Sequence, residues 1–142
     1  MDCTVRWMGS DAGMAFVAET GTGHAVVMDG APEAGGRNIG ARPMEMLLAG
    51  TGGCSAFDVV MILKKARQDI IGCDVSLSAD RADADPKVFT RIHMHYRIKG
   101  RNLKPEAVAR AIELSKEKYC SASIMLGKSA EITADYEIID LA

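Results

Sequence analysis

The chain has 142 residues, 48% of them hydrophobic, and 17 Lys and Arg against 19 Asp and Glu give a formal charge of −2. That length suits one domain, residues 1–142, with a core of its own, and the interspersed charges leave no basic stripe for nucleic acid or an anionic membrane surface. Gly and charge interrupt every apolar run short of the roughly 18 residues of a spanning helix, the opening MDCTVRWMGSDAG has no apolar signal core, and the four cysteines are dispersed without a CxxC pair, so a cytoplasmic protein with free thiols and no zinc module is expected.

Residues 3–8 alternate as a strand, the turn residues 9–13 follow, and residues 14–19 and 24–28 form two more strands around a second turn at Gly21-Thr22-Gly23. Residues 29–41 are loop. A long helix then runs from Pro43 to about Ile71, with Gly72 as its stop. Pro43 suits a first helical position, Glu45 complements the positive end of the dipole, and Lys64, Lys65 and Arg67 suit the other end. Gly50, Gly52 and Gly53 each cost about 1 kcal/mol relative to Ala in a helix interior. Another backbone must approach closely there, or the helix must bend.

At 1.5 Å per residue this helix would be ~44 Å long, more than the ~40 Å diameter of a compact domain of this size. Met44, Met46, Leu47, Leu48, Phe57, Val59, Val60, Met61, Ile62 and Leu63 also make it apolar nearly all round. An obligate homodimer is therefore expected, its two long helices buried between sheets from both chains.

Residues 73–82 and 87–99 read as two further strands. In the second, Phe89, Arg91, His93, His95 and Arg97 take one side and Val88, Thr90, Ile92, Met94, Tyr96 and Ile98 the other, one face core and one wet. A second helix opens at Pro105 and Glu106, carries Val108, Ala111, Ile112, Ser115 and Tyr119 on one face, and ends near Tyr119. Ser121 or Ser123 caps a short further helical turn ending at Gly127, and residues 132–139 are the last strand. With the strands in hairpins, the class is α+β.

Cys54 lies on one helical line with Gly50, Phe57, Asp58 and Met61 and faces a narrow, mostly apolar pocket. Cys120 stands at the junction of two helical segments, where N–H groups of the segment from Ser121 would lower a thiol pKa. By spacing alone each cysteine is either a small buried hydrophobe or a reactive thiol, and Asp58 is either structural or part of the site. His93 and His95 share a strand face with no carboxylate or Cys at matching spacing, and read as solvated surface rather than a metal pair. Cys3 and Cys73 read as incidental thiols, and the nine methionines suit an adaptable interface or pocket.

The segment PMEMLLAGTGGCSAFDVV, the helix end ILKKARQD and the later EKYCSASIML resemble the OsmC/Ohr family, the osmotically inducible and organic hydroperoxide resistance proteins. The resemblance spans essentially the whole chain and is nearest the less characterised branch whose helix reads PMExLLxxxGGCxxxDVVxILxK. It implies the OsmC-like fold, βββ-α-ββ-α-β, in an intertwined homodimer with two active sites at the interface. It also implies a thiol-dependent peroxidase for organic hydroperoxides, in which Cys54 is the peroxidatic thiolate that becomes a sulfenic acid and Cys120 the resolving thiol that closes a disulfide. A dithiol reductant such as a lipoyl protein restores the pair, and no metal, haem or flavin takes part. In the Ohr branch a Glu ten residues before the first cysteine and an Arg from the first hairpin turn support the thiolate. Here Met44 stands ten back and the turn GSDAG has no Arg, so Glu45 and Arg42 are the candidates, with Arg6 and Arg37 the other nearby cations. The alternative is a non-catalytic dimeric module that binds an apolar small molecule between the long helices.

Overall fold

Residues 1–141 are described by a computed structural model. They gather into two units, one of residues Met1–Leu48 and one from Ala49 onward.

In the first unit β1 (Cys3–Trp7), β2 (Phe16–Thr20) and β3 (Ala25–Met28) form an antiparallel meander. The following loop is tied down by one carboxylate. Asp29 is 1% exposed and accepts the backbone N–H groups of Gly30 at 2.7 Å, Arg37 at 3.0 Å and Ile39 at 3.2 Å. Burial pushes this carboxyl up, but those N–H groups and the Arg37 charge outweigh it and hold it below its ordinary value. The loop returns to β3 through a bridge between Met28 and Ala41, which delivers the chain to the helix start.

Helix α1 (Pro43–Lys65) begins in this unit and continues into the second. Its start follows expectation: Pro43 is the first helical residue, and Glu45 Oε1 accepts the Arg42 backbone N–H at 3.0 Å, half of a capping box. Its end does not. Arg67 adopts a left-handed φ of 58°, Gln68 N–H reaches back to Leu63 O at 3.0 Å and Arg67 N–H to Lys64 O at 2.9 Å, which is a Schellman closure without glycine. The helix is 23 residues long, so ~35 Å, and its length alone no longer requires it to protrude. The expectation that no stretch could span a membrane is also corrected: by length and composition α1 qualifies, with a mean hydropathy of 1.7, because its glycines and few charges barely dilute ten large apolar residues.

In the second unit β4 (Asp69–Arg81), β5 (Phe89–Arg101) and β6 (Glu131–Asp140) form a sheet in the order β4-β5-β6. Gly72, expected to stop the helix, lies inside β4 at a register shift. β4 and β5 are the expected hairpin, whereas β6 runs parallel to β5, departing from an all-hairpin arrangement. A parallel neighbour needs a crossover. It is supplied by α2 (Pro105–Leu114), a wide π-helical turn at Ser115–Tyr119, and α3 (Ser121–Leu126).

The core of this unit is Ile92, Met94, Tyr96 and Ile98 of β5, Val59 and Leu63 of α1, and Val108, Ala111 and Ile112 of α2. Phe89 joins them instead of sharing the wet face with Arg91. The register passes from Asp80 opposite Arg91 to Arg81 opposite Phe89, which leaves Thr90 as an extra residue and flips the parity beyond it. Tyr119, expected on the core face of α2, is 50% exposed, because the wide turn breaks the helical phase before it is reached.

One of the three helix glycines has a reason within the chain. A Cβ at Gly52 would lie 2.6 Å from Leu77 Cδ1 of β4, whereas one at Gly50 or Gly53 would meet nothing within 4 Å.

Candidate functional site

Two thiols and a carboxylate meet where α1 passes the α2–α3 junction. The Sγ atoms of Cys54 and Cys120 and a carboxylate oxygen of Asp58 all lie within 4.8 Å of one another. Cys54 and Asp58 share a helix face because they are four residues apart. Cys120 is brought up by the wide turn, in which its N–H bonds Ser115 O at 2.8 Å. Cys54 is half-buried and Cys120 fully buried, and both are free thiols.

Neither Ser121 nor Ser123 caps α3; Cys120 itself does. Its Sγ accepts the Ser123 N–H at 3.4 Å and faces the Thr51 carbonyl at 4.0 Å. The resulting shift is opposite to the one expected from a helix start. Burial pushes the Cys120 thiol up, and the neighbouring Cys54 adds to this, while the contacts from Ser123 only partly oppose it.

Behind the thiols lies a buried hydroxyl chain. Ser55 Oγ bonds Tyr96 Oη at 2.5 Å and Ser115 Oγ at 2.8 Å, and Ser115 Oγ donates toward Asp58 Oδ2 and the Ser55 carbonyl at 3.4 Å each. Ser55, Tyr96 and Ser115 are 0% exposed. Three elements, α1, β5 and the turn after α2, are thus locked together by polar groups that end on the site carboxylate. Sequence reasoning placed Tyr96 and Ser115 on core faces without linking them. The visible signal was a serine on the apolar stripe of α2, since a buried hydroxyl needs a partner.

Arg42 and Glu45 belong to the first unit, where Glu45 is engaged by the Arg42 N–H. In that unit Arg6 pairs with Glu19 at 2.9 Å and an Arg37 guanidinium nitrogen donates to Asp11 O at 2.6 Å. On the sheet, β6 supplies the carboxylates that spacing along β5 did not reveal: Asp135 Oδ1 lies 3.0 Å from His93 Nε2 and 2.7 Å from His95 Nδ1, and Glu137 Oε1 3.8 Å from His95 Nε2. The bond to Asp135 holds His95 above its ordinary value. Beside the site, Phe57, Asp58, Met61, Ile62, Lys65, Leu114 and Tyr119 line an open groove of about 390 Å³.

A thiol pair beside a carboxylate, carried on a glycine-rich helix over a three-stranded sheet, matches a known family. Residues 35–135 match the family described as OsmC-like protein, and the chain belongs to that family. It is 45% identical to Protein YhfA of Escherichia coli K12, with 98% of each chain covered. A hypothetical protein from Aquifex aeolicus VF5 is 29% identical with a TM-score of 0.78, over 98% of this chain and 97% of that one. The organic hydroperoxide resistance protein OsmC of Legionella pneumophila has a TM-score of 0.72 over 96% and 97% of the two chains. At 14% identity that last likeness concerns the fold alone.

Proposed function

We propose that this chain is a thiol-dependent peroxidase for organic hydroperoxides, working as a cytoplasmic homodimer in which each chain acts as one domain. The observation that carries the reading is the pairing of a half-buried Cys54 with a buried Cys120 in one site. The less buried sulfur, that of Cys54, is the one a hydroperoxide reaches first. Cys54, as thiolate, attacks the terminal peroxide oxygen; the O–O bond breaks, a proton is taken up and an alcohol leaves, so the peroxide is reduced and the sulfur becomes a sulfenic acid. Cys120 then attacks that sulfur, its proton and the sulfenic oxygen leave as water, and a disulfide closes. A dithiol reductant such as a lipoyl protein passes two electrons and two protons to reopen it.

Asp58, close to both sulfurs, is placed to receive the Cys120 proton. The substrate class rests on the family resemblance, and the groove with Phe57, Met61 and Ile62 favours an alkyl over a bare peroxide. Glu45 and Arg42 as the pair supporting the thiolate rest on the family resemblance. The homodimer is supported by exposed apolar side chains of the second unit, among them Phe57 at 67% and Met125 at 69%.

The test is a slight excess of cumene hydroperoxide on the reduced protein, followed by mass spectrometry. A Cys54–Cys120 disulfide that forms stoichiometrically and is lost in Cys54→Ser is expected. Thiols that stay reduced, with Cys54 inert to alkylation, would sink the reading. They would favour instead a non-catalytic module binding an apolar small molecule, for which the groove and the burial that pushes the Cys120 thiol up are the support.

A further inference from the structure

We infer that Cys54, Asp58 and Cys120 form a binding site for a thiophilic divalent cation, of which Zn²⁺ is the type. Among the described residues no other three His, Cys, Asp or Glu side chains bring ligand atoms so close together. Zinc bound by two sulfurs and one carboxylate oxygen, at about 2.3 Å and about 2.1 Å, holds its ligands ~3.5–3.8 Å apart. Closing the site from a spread of at most 4.8 Å therefore needs a movement of about 1 Å or less. Cys54 and Asp58, one turn apart on α1, supply two ligands from one rigid element. Cys120 supplies the third, and the fourth position stays open on the half-buried side of Cys54.

The surroundings suit a bound metal. Ser123 N–H already points at Cys120 Sγ, a contact that strengthens when the sulfur carries thiolate charge. Ser115 Oγ donates toward Asp58 Oδ2 and is itself fixed by Ser55, so the carboxylate has an outer partner that orients it. Two sulfurs select Zn²⁺, Cd²⁺ or Co²⁺ over Mg²⁺ and Ca²⁺. Each sulfur binds as thiolate, any thiol proton passing to solvent as its sulfur–metal bond forms, and no redox partner is required. Occupancy would mask both sulfurs from any electrophile.

The probe is Co²⁺ added to the reduced, full-length protein without oxygen, followed by Zn²⁺. One cobalt per chain should give tetrahedral d–d bands and a thiolate-to-cobalt charge-transfer band that Zn²⁺ removes. In the wild type one equivalent of Zn²⁺ should protect Cys54 and Cys120, mapped by peptide mass spectrometry, from iodoacetamide. Cys54→Ser should abolish the charge-transfer band, Asp58→Asn and Ser115→Ala should each weaken binding about tenfold or more, and Cys3→Ser/Cys73→Ser should leave the band intact. Unprotected thiols in the wild type, or a band that vanishes in Cys3→Ser/Cys73→Ser, would overturn the site. These readouts do not depend on whether cumene hydroperoxide oxidises the protein, so the metal site and the peroxidase can fail separately.

Discussion

Placing methyl groups at Gly50 and Gly53 tests the dimer directly. Beyond the helix's own neighbouring backbone, a Cβ built at either position meets nothing within 4 Å, so for an isolated chain only helix propensity remains, and Ala is better than Gly by about 1 kcal/mol at each site. The double variant Gly50→Ala/Gly53→Ala would then gain about 2 kcal/mol, or roughly 6 °C in Tm for a chain of this length. If a second copy of α1 packs against these backbones, each new methyl instead costs about 1–3 kcal/mol in overpacking. After subtracting the propensity gain, the net loss is about 2 kcal/mol per chain and so about 4 kcal/mol per dimer, equivalent to about a thousandfold in the equilibrium between the dimer and its separated, unfolded chains. Light scattering across a dilution series and thermal unfolding at two concentrations read both quantities. The expected result is weakened association. A variant that associates like the wild type and melts higher would refute the close-approach dimer.

Ser115→Ala removes the donor to Asp58 and one of two partners of the Ser55 hydroxyl, and should cost about 1–3 kcal/mol, read as a lower urea midpoint with an unchanged slope; an unchanged midpoint would show that the hydroxyl chain stabilises nothing. His95 is raised by its bond to Asp135, so its stabilisation is complete below the ordinary histidine value of about 6.5 and fades as pH rises through the higher folded value. The stability gap between wild type and His95→Gln should accordingly shrink on going from pH 6 to pH 9, and a gap that grows would reverse the assignment. Asp29, held low by three N–H groups, contributes above the ordinary carboxylate value and loses that contribution as pH falls through its lowered folded value. Asp29→Asn should speed hydrogen exchange at Gly30, Arg37 and Ile39 at neutral pH, and unaltered exchange there would show that the loop is held otherwise.

The element order was legible because the chain punctuates itself clearly: Pro43 and Pro105 open helices, glycines flank the early strands, and β5 alternates over most of its length. What stayed hidden depended on pairing rather than composition. The single extra residue Thr90 moved Phe89 into the core, and no local pattern announces such a bulge. The end of α1 was misplaced because Arg67 takes a left-handed conformation usually left to Gly or Asn, while Gly72, the obvious stop, lies within a strand. At the site both cysteines were singled out from the start, yet their company was not. Asp58 follows from helical spacing, but Ser115 and Tyr96 reach Ser55 from separate elements 60 and 41 residues away. The sign of the Cys120 shift was likewise unreadable, since a short helix start argues one way and burial, visible only in three dimensions, argues the other more strongly.

The wide turn at Ser115–Tyr119 acts as a phase shifter. In a regular helix, residues five apart point ~140° away from each other, so Ser115 and Cys120 could not both address α1. The i to i+5 turn absorbs one additional residue and brings the hydroxyl and the sulfur round to the same side. A relative that kept both cysteines but lost one residue between Lys116 and Lys118 would retain its helices and its sheet while its second thiol faced away. The interval from Ser115 to Cys120 is therefore a sharper marker of whether the two sulfurs can meet than the much longer interval between the two cysteines.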